Sequence, residues 1–230
     1  MGTATSLEIT AGEPVLVLPL GSFEQHGPHL PLDTDSTIVR ALVEDALHRD
    51  GIDATRFIVA PVVPVTASDE HAGFPGTLSA GTDATVDSVV AICRSASWAR
   101  GVCIVNGHGG NADALERIGS ALEWEGIAHA IWTLPHYAGG DMHAGRTETS
   151  LMLHIAPATV RTGLVPADGA DLPDDVIRVM RVGGVAAVSE NGVLGDASTA
   201  TAEHGRAVLD LYGASLARTL AQCLVDWSAQ

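Results

Sequence analysis

The feature that most constrains the fold is a pattern that occurs four times along the chain: a short apolar run, a polar loop and then an amphipathic helix. The apolar runs are too short for core helices and are typical of buried strands. They cover residues 15–20, 57–63, 102–105 and 127–134. Strands that alternate with helices predict an α/β fold, here a three-layer α/β/α sandwich with a mostly parallel central sheet.

Apolar residues recur at helical spacing after each polar loop. Predicted helices begin near Thr34, are centred on residues 86–93 and 115–122, and cover residues 151–155 and 199–227. We expect the last helix to pack over the sheet or against another subunit. Between residues 156 and 196 Pro and Gly interrupt the pattern, so we predict loops with at most one short strand pair.

Length and charge restrict the class of protein. The 230 residues suffice for one substantial core, and we expect a single domain over residues 1–230. The formal net charge of −16 argues against nucleic acid and anionic membranes as partners, because both require clustered basic residues.

The cellular location follows from the cysteines and the apolar runs. Cys93, Cys103 and Cys223 lie far apart within apolar stretches, as expected of buried thiols in a reducing compartment. No apolar run reaches membrane-spanning length, and the N-terminus lacks a signal-peptide pattern. We therefore expect a cytoplasmic protein.

The first polar loop, residues 21–35, contains three acids and two histidines directly after the first strand. Glu24 and His26 are two residues apart, so both side chains leave the same face of an extended segment. Asp35 returns in the first turn of the next helix. Mixed carboxylate and imidazole ligands suit Zn, Mn and Fe(II), although a polar loop with helix-capping acids would look similar.

The third polar loop, residues 106–111, allows two interpretations. Gly107, Gly109 and Ala112 satisfy a dinucleotide-binding fingerprint between a strand and a helix. A histidine, however, fills the position at which a pyrophosphate should approach. His108 as a metal ligand explains this loop better.

The fourth polar loop places His143 and Glu148 five residues apart where the chain enters a helix. Considered without the other loops, His143 would more often be a capping or core histidine than a catalytic residue. Asp141 and Arg146 could form a surface ion pair with no role in the site. Loops at the carboxyl ends of parallel strands meet in one crevice, which favours a shared site. Six of the ten histidines belong to such loops, namely His26, His29, His71, His108, His136 and His143.

Four ordered motifs resemble the creatininase family of metal-dependent amidohydrolases. They are GSFEQHGPHLPLDTD at residues 21–35, FPGT at 74–77, NGHGGN at 106–111 and HAGRTETS at 143–150. The resemblance implies an α/β/α sandwich with two divalent metal ions per subunit (Zn, Fe(II) or Mn). It also implies that Glu24, Asp35 and His108 hold one ion, and that His26 and the bridging Asp35 hold the other.

One departure from the family concerns position 110. Creatininase has a glutamate ligand two residues after the histidine of the third loop, whereas this chain has Gly110. Glu148 is then the candidate to complete the second site, or else the catalytic base. The resemblance further implies that His143 donates a proton or stabilises the oxyanion, with Asp141 holding its tautomer. His29 and Asp33 are expected to support the ligands.

The resemblance also implies a substrate. Residues 97–100, 140–150, 192–196 and 201–203 are similar to a branch of peptidases that trim a modified ribosomal precursor peptide in redox-cofactor biosynthesis. We therefore expect a metal-dependent peptidase that works as a homo-oligomer. The alternatives are a hydrolase of a small cyclic or formyl amide, such as creatinine or a formylamidopyrimidine, and a non-catalytic, metal-stabilised peptide-binding protein.

Overall fold

The centre of the fold is a four-stranded parallel sheet. The computed structural model describes residues 4–10, 13–169 and 172–227. The strands are β1 (Val15–Leu20), β2 (Phe57–Val59), β3 (Val102–Asn106) and β4 (His129–Thr133), and their order in the sheet is β2-β1-β3-β4. Every residue of β1 is buried, because this strand pairs on both sides and is covered on both faces.

Helices cover both faces of the sheet. The helices that pack on it are α2 (Thr34–Leu47), α3 (Gly81–Ser95), α4 (Ala112–Trp124), α5 (Arg146–Ile155) and α7 (Ala202–Asp226). Two further helices, α1 (Ser6–Thr10) and α6 (Val176–Gly183), contribute no described residue to the two core clusters. Alternate β1 side chains face opposite cores, so Val15 and Val17 pack with α2, α5 and α7, whereas Leu16 and Leu18 pack with α3 and α4. The predicted three-layer sandwich is confirmed.

The long last helix belongs to the core of its own chain. Its buried side chains, including Val208, Tyr212, Leu216 and Leu220, lie in the same cluster as β1 and α2. The expected packing of this helix over the sheet is confirmed. In the described part of the chain, no helix has both the length and the apolar character needed to cross a membrane.

Two elements differ from the sequence prediction. Strand β2 stops at Val59, because Pro61 has no N–H for the ladder, although the Val63 N–H still donates to the Pro19 carbonyl at 3.0 Å. The expected strand pair in residues 156–196 is wrong: this segment contains α6, and Leu194 forms an isolated antiparallel bridge with His143. The β-branched residues of α6 favour a strand locally, and the tertiary fold overrides that preference.

Candidate metal centre

Histidine and carboxylate side chains from all four polar loops meet at the carboxyl edge of the sheet. The five predicted ligands are Glu24, His26, Asp35, His108 and Glu148, and they lie in one cluster together with His71 and His143. Glu24 and His26 are fully buried, and Glu148, with 15% of its side chain exposed, is the most accessible of the five. The parallel topology therefore gathers residues that are more than 120 positions apart in the sequence.

Asp35 lies at the centre of this cluster. Its Oδ1 is 3.1 Å from His26 Nε2, and its Oδ2 is 2.9 Å from His108 Nδ1. The Ser22 hydroxyl donates to Oδ2 at 2.8 Å. Asp35 occupies the first turn of α2, where the helix dipole favours a negative charge. Its two oxygens face two different histidines, which is the arrangement a bridging carboxylate requires.

Glu24 provides the test of whether the site suits a cation. Both of its carboxylate oxygens are buried, and neither has a hydrogen-bond partner among the described residues. Its nearest nitrogens are His71 Nε2 and His108 Nε2, each at 3.3 Å. A buried carboxylate without hydrogen bonds is costly unless a positive charge compensates it. The residues present therefore fit a metal ion.

Among the described residues, four overlapping groups of donor atoms have the spacing that a metal ion needs. Each contains three side chains whose donor atoms lie within 4.8 Å of one another. The groups are Glu24–His26–Asp35, Glu24–His71–His143, His26–His143–Glu148 and Glu24–Glu70–His108. The first group shares Glu24 with two of the other groups and His26 with the third. The geometry is therefore compatible with two neighbouring ions.

The Glu148 carboxylate is held by the loop that precedes α5. The Ala144 N–H donates to Glu148 Oε2 at 2.6 Å, and this oxygen lies 3.9 Å from His26 Nε2. Ala144 is fully buried and has φ +52, in the left-handed region that non-glycine residues seldom adopt. The strained backbone at Ala144 thus aims an N–H at the carboxylate.

The charges of the cluster favour additional positive charge. Burial raises the pKa values of Glu24 and Glu148 to about 7. Burial lowers the pKa values of His26 and His108, but nearby carboxylates, Asp35 among them, outweigh it and raise both to about 10. The carboxylates thus draw protons onto the imidazoles. A divalent ion supplies the same positive charge and displaces such protons.

Gln25 orients two histidines at the edge of the cluster. Its side-chain amide donates to His71 Nδ1 at 2.8 Å and to the Gly192 carbonyl at 3.1 Å. His143 Nε2 lies 2.8 Å from the Gln25 backbone carbonyl, which can only accept, and 3.1 Å from the Gln25 side-chain amide nitrogen, which can only donate. The shorter contact favours a proton on Nε2, with Nδ1 facing Glu24 and Glu148. Sequence reasoning did not identify Gln25.

The expected pairing of Asp141 with His143 is wrong. The Asp141 carboxylate accepts the backbone N–H groups of Arg146 and Thr147, and so caps the first turn of α5. The Gln25 backbone holds the His143 tautomer instead.

The other residues that the sequence predicted from the loops differ in how close they lie to the cluster of histidines and carboxylates. His29 is buried and its Nε2 contacts the Thr149 hydroxyl at 2.7 Å, on the α5 side of the cluster. Asp33 is exposed at the N-cap of α2, without a side-chain capping bond. His136 is exposed and lines the cavity described next. His108 faces the acids, which agrees with its interpretation as a ligand rather than as part of a nucleotide loop.

A cavity of about 590 Å³ opens above the cluster. Its floor contains Glu24, Asp35, His108 and Glu148. Its walls come from the segment after β4, from α6 and from α7, and include Leu134, Tyr137, Met142, Ile177, Met180 and Tyr212. The cavity is large enough for a ligand of several residues, with apolar walls and a polar floor.

Known proteins resemble this chain over most of its length. The creatininase family profile, described as creatinine amidohydrolase, matches residues 3–220. The mycofactocin precursor peptide peptidase of Mycobacterium tuberculosis (strain CDC 1551 / Oshkosh) is 48% identical over 215 residues, which cover 90% of this chain and 85% of that protein.

Solved structures show the same fold. A structure titled "Creatininase Mn" has a TM-score of 0.77 and 26% identity, and it covers 96% of this chain and 97% of its own. A mutant creatininase of the "Zn-Zn type" has a TM-score of 0.77 and 26% identity, with 96% of both chains covered. The profile match over nearly the whole length and the close relative together establish that this chain belongs to the creatininase family.

Proposed function

We propose that this chain is a metal-dependent peptidase that removes the C-terminal dipeptide from the modified mycofactocin precursor peptide. The main support for this substrate is the 48% identity with a mycofactocin precursor peptide peptidase over 90% of the chain. The buried cluster of carboxylates and imidazoles at the floor of the cavity supports hydrolysis as the chemistry.

We assign two ion positions to the cluster. Glu24, Asp35 and His108 would hold one ion, and His26, Asp35 and Glu148 would hold the other. The ligand set suits Zn, Mn and Fe(II). Manganese and a zinc pair appear in the titles of two related creatininase structures, which supports this assignment.

Bound divalent ions would supply Lewis acidity, which polarises a carbonyl and lowers the pKa of water. The chain adds groups that move protons. His143 Nδ1 has a free lone pair beside Glu24 and Glu148, so it can first accept a proton and then return it to the leaving amine. Glu148 is the second group placed to take a proton if it is not fully engaged as a ligand.

The cavity supports a peptide rather than a small ring as substrate. Ile177 and Met180 of α6 give it an apolar wall some distance above the acidic floor. Arg181 on the same wall is placed to contact a carboxylate, such as the C-terminus of a peptide. Gly109 and Gly110 line the opening between floor and wall without side chains.

The test is cleavage of the peptide itself. Metal-loaded protein is incubated with the modified precursor peptide, and mass spectrometry is expected to show loss of the C-terminal dipeptide. Glu148→Gln should lower turnover by at least about 100-fold, the size typical of proton-transfer groups, and should still bind the peptide.

Parallel reactions separate the alternatives. Creatinine and a formylamidopyrimidine are offered to the same preparation. Hydrolysis of either of these with an intact peptide would contradict the proposal and favour a small-amide hydrolase. Peptide binding without turnover in the wild-type protein would instead favour a carrier.

A further inference from the structure

A third imidazole, His71, borders the cluster from the turn after β2 and has no role in the assignment above. We propose that His71 is a hydrogen-bond donor to the carbonyl oxygen of the scissile amide and not a metal ligand, and that Gln25 holds its proton on Nε2. This inference rests on the proposed hydrolytic function and adds a residue to the same site.

The side-chain amide of Gln25 has a defined orientation. The Gly27 N–H donates to Gln25 Oε1 at 2.9 Å, so the opposite end of the amide is the nitrogen. This nitrogen has two hydrogens. It donates one to the Gly192 carbonyl at 3.1 Å and the other to His71 Nδ1 at 2.8 Å. His71 Nδ1 is therefore an acceptor without a hydrogen.

The tautomer of His71 follows from this contact. A neutral imidazole has one N–H, so the hydrogen of His71 is on Nε2 when Nδ1 accepts. Nε2 then has no lone pair for a metal ion, although the spacing of His71 with Glu24 and His143 would suit one. His71 instead offers an N–H to the cavity, which it lines.

This N–H is available to a ligand in the cavity. Glu24 Oε1 lies 3.3 Å from His71 Nε2, but it receives no hydrogen bond from a described residue. His143 Nδ1 lies 3.7 Å from the same Glu24 oxygen, and the two imidazole rings are 4.4 Å apart. A donor and an acceptor nitrogen thus face one point. Amide hydrolysis needs both, because negative charge develops on the carbonyl oxygen and a proton moves to the leaving amine.

The backbone holds His71 in this place. His71 ends the short turn Asp69–His71, and its N–H donates to the Ser68 carbonyl at 3.0 Å. At the end of α6, Gly184 has φ +70, and a Cβ there would lie 2.8 Å from the Glu70 carbonyl oxygen. Only 4% of the His71 side chain is exposed. A donor that is fixed before the reaction is the kind that stabilises developing charge.

The first experiment reads the position of the proton without any substrate. NMR of protein with isotope-labelled histidine observes the ring nitrogens, and the His71 signals are those missing from His71→Gln. We expect a proton on Nε2 in both the metal-free and the Zn²⁺-loaded protein. Gln25→Glu presents an oxygen in place of the amide nitrogen and should move the proton to Nδ1. A wild-type Nε2 without a proton would overturn the inference.

The second experiment measures kinetics with whichever amide the wild-type protein cleaves. His71→Leu should lower kcat by about 100-fold or more and change KM by less than about 3-fold, since a donor to the oxyanion acts in the transition state. His71→Gln brings an amide N–H near the position of Nε2 and should recover part of the lost kcat. His154→Leu, which changes an exposed histidine of α5, is the matched control and should behave as the wild type.

Equal kcat values for His71→Leu and His154→Leu would contradict the inference, as would a loss of activity that elemental analysis traces to lost metal. If His71→Leu does not fold by circular dichroism, Gln25→Glu answers the same question with the ring in place. Its kcat should fall by at least about 10-fold, because the reversed tautomer removes the N–H. Failure of the proposed function is seen separately, as a wild-type protein that cleaves none of the amides, while the NMR spectrum still decides between donor and ligand.

Discussion

Asp35 connects the two halves of the candidate centre, because each of its oxygens faces a different histidine. Burial alone would raise its pKa, but His26 and His108 outweigh burial and hold the pKa well below its ordinary value. The carboxylate therefore stays ionised and available to a cation. A single residue thus links loops that follow two different strands.

Asp35→Asn is expected to remove both metal binding and peptide cleavage, because the amide keeps the shape but cannot neutralise two ions. Elemental analysis of the purified variant should find less than half of the wild-type metal, and turnover should fall by at least about 100-fold. Asp33→Asn, two residues earlier and exposed, is the matched control and should behave as the wild type. Full metal content in Asp35→Asn would exclude a bridging role.

The sequence was sufficient to predict that the five candidate ligands form one group. It did not reveal all of the side chains that contact them. Glu24, His26 and His108 lie in loops after apolar runs, and Asp35 and Glu148 lie in the first turns of the helices that follow such loops. The parallel topology was therefore sufficient to bring the five together. Gln25 acts through contacts 46 and 167 residues away in the chain, which no local pattern reveals. Glu70 precedes a predicted loop histidine, but only the space above Gly110 shows where its carboxylate lies.

Among the elements, α6 is the one that the sequence did not predict and that shapes the cavity. The four strands and the helices that follow them were predictable, because each shows a clear apolar period. Helix α6 has only eight residues, several of them β-branched, and it is held by packing against the turn that carries Glu70. Local propensity could not supply that contact.

The position of α6 predicts an effect on substrate binding. Ile177 lines the cavity and is 53% exposed, so a bound peptide would bury it further. Ile177→Ser is expected to raise the KM for the precursor peptide by about 3- to 10-fold, the size that losing part of one buried aliphatic contact gives. The kcat and the metal content should stay unchanged.

The matched control lies on the same helix. Val182 is 87% exposed and does not line the cavity, so Val182→Ser makes a similar change away from the substrate. Steady-state kinetics with the peptide compare the two variants. Equal KM values for Ile177→Ser and Val182→Ser would show that α6 does not contact the substrate.

At the scale of the whole molecule, the metal centre and the folded state depend on each other. The donors come from loops after all four strands, so the cluster exists only when the sheet is assembled. Ligands that bind only the native state stabilise it, by about 2.7 kcal/mol at a free concentration 100 times the Kd. The free energy of unfolding of the whole protein should therefore depend on bound metal.

Removal of the ions by a chelator is expected to lower the Tm by about 5 to 10 °C, from that free energy and the entropy of unfolding of a chain this long. Differential scanning calorimetry measures the shift, and added Mn²⁺ or Zn²⁺ should reverse it. The Asp35→Asn variant is the control, since it should show almost no shift with chelator. An equal Tm of the wild-type protein with and without chelator would argue against ions bound to the native state.

The central position of the first strand has a consequence for synthesis on the ribosome. Glu24, His26 and Asp35 leave the ribosome first, but Glu148 follows only after all four strands have been made. His143 then pairs with Leu194, so even this histidine is fixed only when most of the chain is available. A nascent chain therefore holds an incomplete set of the assigned ligands until residue 148 of 230 has been made, well past the midpoint of translation.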